Sequence, residues 1–171
     1  MGSAIRYSVF FALAILLWAV AEWLVGLHDK YIRYHEYFSY FFAVPSVGIM
    51  YLGIRSGGRP PENRMSFRSA FLRGLGITSV VSILCPLMWY LFCVFINPAF
   101  LDYMMRYAIE AKGMDPQLAM KRYSLSSHLF VSTLSTAVVG AVISLVVAII
   151  LARRKPAVSD APTQSRIKPV P

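Results

Sequence analysis

The chain has 171 residues, 57% of them hydrophobic and only 15% charged, with a mean hydropathy of +0.58 and a formal net charge of +9. That balance excludes an ordinary soluble domain, and the length allows one domain. The basic residues cluster at the ends of apolar runs, where a membrane protein places them, so nucleic-acid binding is excluded as the reading of the charge.

A hydrocarbon core of ~30 Å is crossed by about 20 apolar residues in helical form. Four segments reach that length: Ile5 to Leu27, Tyr37 to Ile54, Ala70 to Ile96 and Ser127 to Ala152. Backbone groups in lipid must bond within their own segment, and the runs are too long for barrel strands. The expected fold is all-α: a polytopic membrane protein of four transmembrane helices, with a short amphipathic outer helix between the third and fourth. Residues 1–155 form the transmembrane domain, and 156–171 form a Pro-rich, disordered cytoplasmic tail.

The first span imitates a secretory signal, with Arg6, an apolar run and Ala19-Val20-Ala21 resembling a cleavage site. Apolar sequence resumes at Trp23, Leu24 and Val25, which favours an uncleaved helix; cleavage after Ala21 would leave three spans. Glu22 is the one acid inside a span, placed ~7.5 Å from the end of a helix that closes at Leu27. Intramembrane acids are costly, so Glu22 is a candidate for a proton or substrate path, with a structural polar contact as the plainer alternative.

The tyrosine-crowded stretch from Tyr31 to Tyr40 reads as an interfacial hairpin, its rings at the headgroup level. Pro45 is expected to kink the second span. Ser56-Gly57-Gly58-Arg59-Pro60-Pro61 breaks the chain, and Ser66 suits an N-cap for the third span. Pro86 is expected to bend that span, and Asn97-Pro98 to end it. Cys85 and Cys93, ~12 Å apart along one helix, cannot form a disulfide and read as small buried hydrophobes.

Beyond Pro98, Leu101, Met104, Met105, Ala108 and Ile109 share one helical face, with Asp102, Arg106 and Glu110 opposite. This is the amphipathic helix, lying on the membrane or covering the spans. Gly113 stops it, and Asp115-Pro116 starts another turn or two. In the fourth span Ser132, Thr136, Gly140, Ser144 and Ala148 recur every fourth residue, answered on the third by Gly74, Thr78 and Ser82. Small side chains let helix backbones approach closely. The simplest account pairs these two helices within one chain, and the alternative is a homo-oligomer seam through the fourth helix.

Eleven basic residues fall on one side of this topology: Arg6, Arg55, Arg59, Arg64, Arg68, Arg73, Arg153, Arg154, Lys155, Arg166 and Lys168. Six fall on the other, among five acids. The bias places both termini in the cytoplasm. His28, His35 and His128 then lie together at the outer interface, near Asp29, Glu36 and possibly Glu22. They are candidate metal ligands with Glu36, but the spacing of His28 and His35 matches no established ligand motif, and the expectation is no metal and no cofactor.

Met65-Ser66-Phe67-Arg68-Ser69-Ala70-Phe71-Leu72-Arg73-Gly74, then Ile96-Asn97-Pro98-Ala99-Phe100-Leu101-Asp102, then the Gly113-Met114 turn, occur in an order that resembles a bacterial family of unknown function numbered 4199. These are small four-helix inner-membrane proteins, and the resemblance spans roughly Ile5 to Lys155. It implies a bacterial inner-membrane location and transfers no catalytic residue. No H-E-x-x-H, G-x-S-x-G, Walker A or dinucleotide fingerprint is present, and no enzyme is expected. The leading expectation is a structural or accessory membrane subunit with the bilayer as its partner. The alternative is a small transporter or channel component with Glu22 in a polar path.

Overall fold

The computed structural model describes residues 2–58 and 65–152, and among these it is all-helical without strands. The expected tail at 156–171, the expected domain boundary at 155 and seven of the basic residues (Arg59, Arg64, Arg153, Arg154, Lys155, Arg166 and Lys168) lie outside the described residues. Among the described residues, four helices are long and apolar enough to cross a membrane: Gly2–Leu24, Ile32–Arg55, Phe67–Ile96 and Leu125–Ala152.

The first span is α1, Gly2–Leu24. It ends three residues earlier than the apolar pattern suggests, because Gly26 takes a left-handed conformation at φ +82°. The Leu27 amide returns to the Glu22 carbonyl at 2.9 Å and the Gly26 amide to Trp23 at 2.9 Å, the paired bonds of a Schellman cap. Glu22 therefore lies in the last turn of α1, not a turn and a half within it.

The second span consists of α2, Ile32–Phe41, and α3, Ala43–Arg55. The tyrosine-rich stretch is helical, which corrects the expected hairpin; the reversal of the chain is completed within residues 25–31. The break at Phe42 has its cause in Pro45, which has no amide proton to offer the Phe41 carbonyl and crowds it sterically. The aromatic rings of α2 face outward, with Tyr37 67% and Tyr40 76% exposed, while His35 is buried and Ser39 half-buried on the inner face. Arg33 and Glu36 are exposed among those rings, a mixture that suits the headgroup level of a membrane.

The third span, α4 (Phe67–Leu91), begins at the expected Ser66 cap, whose hydroxyl accepts the Ser69 amide, and carries Pro86 within it. Its last turn widens into a π-helical segment, Phe92–Ile96, and stops at Asn97. The amphipathic helix is α5, Phe100–Glu110, and its apolar face turns inward on Phe100 and Ala108. Gly113, at φ +65°, closes it. Asp115 caps α6, Pro116–Arg122, with Pro116 in the first turn. The fourth span is α7, Leu125–Ala152.

Helix α4 is the centre of the packing, in contact with α1, α3 and α7. The α4–α7 seam is built on the small residues. A Cβ added to Gly140 would meet Thr78 Cγ2 at 2.5 Å, and one added to Gly74 would meet Ser144 Cβ at 2.6 Å. Thr78 and Ser144 share a hydrogen bond of 3.3 Å, and Thr136 donates to Cys85 Sγ at 3.3 Å. Both cysteines are free and buried. Close backbone approach supplies dispersion contact where lipid offers no hydrophobic drive.

Candidate functional site

The two ends of the helical core are chemically different. At the end holding the start of α1, Arg73 ties three helices together. Its Nε donates to the Gly53 carbonyl at 3.0 Å, and its terminal nitrogen donates to Ser3 Oγ at 2.7 Å and Ser56 Oγ at 3.1 Å.

The opposite end holds Glu22. Its Oε1 accepts two hydrogen bonds, from Trp18 Nε1 at 2.9 Å and from Ser39 Oγ at 2.8 Å. Trp18 stands one helical turn before Glu22 on α1, and Ser39 stands one turn after His35 on α2, so each pair shares a face. Oε2 turns the other way. It lies 3.5 Å from His28 Nε2 and 3.6 Å from His35 Nδ1. His28 is fully buried, delivered by the Gly26 turn, and Glu22 and His35 are 5% and 8% exposed.

Of the histidine–carboxylate candidates read from the sequence, the structure brings together Glu22, His28 and His35, with one ligating atom from each within 4.8 Å of the others. Two candidates stand apart. Glu36 faces away and pairs with Lys112, and this hydrogen bond raises the Lys112 pKa above the ordinary lysine value. His128 sits edge-on to Trp89, with ring centroids 4.7 Å apart. Phe100 links the two groups, its ring 4.6 Å from His28, 5.7 Å from His35 and 5.8 Å from His128. It is 1% exposed, so the Asn97-Pro98-Ala99-Phe100 break seats an aromatic plug on the histidines.

Beneath Glu22 lies a cavity of about 400 Å³. All four spans wall it: Phe11, Ile15 and Trp18 from the first; Phe42, Ser46 and Met50 from the second; Thr78, Val81, Cys85 and Trp89 from the third; and His128 to Ile143 of α7. The lining is mostly apolar, with Glu22, Ser39 and His128 as polar points at one end and Ser132, Ser135 and Thr136 as hydroxyls along the α7 wall. Val131 and Val139 are 55% and 54% exposed while lining it, so the cavity opens sideways along α7. Apolar pockets of this size with a few placed polar groups are typical of small-molecule sites.

Sequence reasoning missed Trp18 and Ser39, although the i, i+4 pairs Trp18/Glu22 and His35/Ser39 were visible, and it missed Phe100 as the common neighbour. No curated protein and no solved structure matches the chain. The family model described as "Protein of unknown function (DUF4199)" matches residues 6–153. That match takes in every span, the Asn97 break and all the residues of the Glu22 site, and the chain belongs to this family.

Proposed function

We propose that this protein is a non-enzymatic accessory protein of the bacterial inner membrane that holds one amphipathic, lipid-like molecule among its four spans, its termini in the cytoplasm. The observation that carries this reading is the laterally open cavity beneath Glu22. At membrane depth the medium beside such an opening is hydrocarbon, so an apolar chain enters at little desolvation cost. The polar end of the cavity suits a headgroup or ring oxygen that exchanges hydrogen bonds with Ser39 or His128.

Retained lipids identified by native mass spectrometry of the detergent-purified protein test it. We expect one chain to carry one lipid-class molecule, and Val139→Trp, which fills the cavity from its open side, to abolish retention without loss of fold. An unliganded wild-type protein across mild detergents and nanodiscs would contradict the reading.

A transport role for Glu22 is the second reading, favoured by its place in the cavity wall. It predicts that Glu22→Gln stops flux in proteoliposomes while folding survives. Against a continuous path, the ionisable groups of the lining, Glu22 and His128, gather at one end, while the other end of the helical core is tied off by Arg73. An oligomer seam along Ser132 to Ala148 would compete with α4 for the same stripe, which favours one chain as the packing unit.

A further inference from the structure

We propose that Glu22, His28 and His35 form a binding site for one divalent transition-metal ion, with zinc as the best fit, at the head of the cavity. The spacing of the three groups supports this. The separations of 3.5 Å and 3.6 Å between Glu22 Oε2 and the two imidazole nitrogens are too long for good hydrogen bonds, which run at about 2.7–3.2 Å. They are close to the edge of a metal tetrahedron: bonds of about 2.0–2.1 Å place neighbouring ligand atoms about 3.4 Å apart. An octahedral ion with similar bonds would bring neighbouring ligands to about 3.0 Å, so the observed spacing lies nearer the tetrahedral edge. All three ligating atoms lie within 4.8 Å of one another, and the edge between the two imidazole nitrogens is the one that shortens on binding.

The hydrogen-bond inventory points the same way. His28 Nε2 and His35 Nδ1 are buried and have no hydrogen-bond partner. With the ring N–H of each neutral imidazole on its far nitrogen, the lone pairs of His28 Nε2 and His35 Nδ1 face Glu22 Oε2, an arrangement of three electron-pair donors that a shared cation resolves. His28 itself is fully buried, so water does not serve it from bulk.

The carboxylate is also prepared as a ligand. Trp18 and Ser39 both donate to Oε1, which fixes the plane of the carboxyl group and leaves Oε2 for the metal. Two imidazoles and one carboxylate make a three-ligand set that leaves a fourth position open for water or for a donor atom of a guest. His28 Nδ1 lacks a protein acceptor, so His28 is the less well oriented ligand and the expected affinity is below that of a fully supported site.

The test uses the full chain, purified without a histidine tag, stripped with chelator, and titrated with zinc chloride in nanodiscs. The expected result is about one zinc per chain retained through desalting, and loss of that zinc in the His28→Ala/His35→Ala double variant. Trp18→Phe should weaken zinc about tenfold, as removal of an outer-shell donor does. Cobalt(II) provides a readout independent of the variants' folding: the wild-type protein should give the intense visible bands of tetrahedral cobalt with nitrogen and oxygen ligands. Zinc bound equally by the double variant, or cobalt spectra of octahedral intensity, would overturn the proposal. Val139→Trp leaves this site intact, so loss of lipid with retention of zinc separates the cavity reading from this one.

Discussion

Glu22 is a buried acid and Arg73 a half-buried base at the opposite end of the helical core, and they are satisfied differently. Arg73 donates to a carbonyl and a hydroxyl at the end of α3 and to a hydroxyl of α1. Hydrogen bonds to charged groups contribute ~1.5–3 kcal/mol each, and a partner left buried and unpaired costs a similar amount. Arg73→Ala is therefore expected to lower stability by ~2–4 kcal/mol in a detergent thermal-denaturation assay. Arg73→Lys should recover only part, because an ammonium cannot reproduce the planar fork. The Glu36–Lys112 pair is a contrast. Both side chains are exposed by a third or more, so Lys112→Ala should cost under ~1 kcal/mol in the same assay. The raised Lys112 pKa sets the sign of its small contribution, present below the unfolded lysine value and lost as pH rises through the folded one.

At the level of elements, α4 and α7 are held by shape. Gly140→Leu drives a branched side chain into Thr78 and is expected to destabilise the protein by at least ~1–3 kcal/mol. Gly140→Ala combined with Thr78→Ala removes the two closest clashing atoms, so a double-mutant cycle by thermal denaturation should show positive coupling between the sites. If Gly140→Leu instead dissociated a stable dimer and left the monomer's melting unchanged, α7 would pair between chains. The Gly26 cap is the other sensitive element. Gly26→Ala places a Cβ at φ +82° and 3.2 Å from Asp29 Oδ1, an expected loss of ~1–2 kcal/mol that also displaces His28.

For the whole molecule, the topology is the proposition with the widest consequences. A cysteine introduced by Gly58→Cys, in a chain whose native cysteines are both buried, should react with a membrane-impermeant maleimide only after the cells are opened. Labelling of intact cells would invert the orientation and put the Glu22 end in the cytoplasm.

The sequence alone determined the membrane class, the number of spans, the α5 face and the caps at Ser66, Gly113 and Asp115. These depend on run length, i, i+3/i+4 spacing and local hydrogen bonding, all of which are short-range. The small-residue stripe was equally plain, but its partner was not, since a face shows what can pack without showing against what. Only the tertiary structure decided that Glu22 meets His28 and His35 and not Glu36 or His128. That choice depends on the left-handed turn at Gly26 and on α2 starting at Ile32, where aromatic residues conceal a helix whose polar face points inward. Convergence of side chains from a helix end, a turn and a second helix is set by where backbones cross in space, which no local pattern encodes.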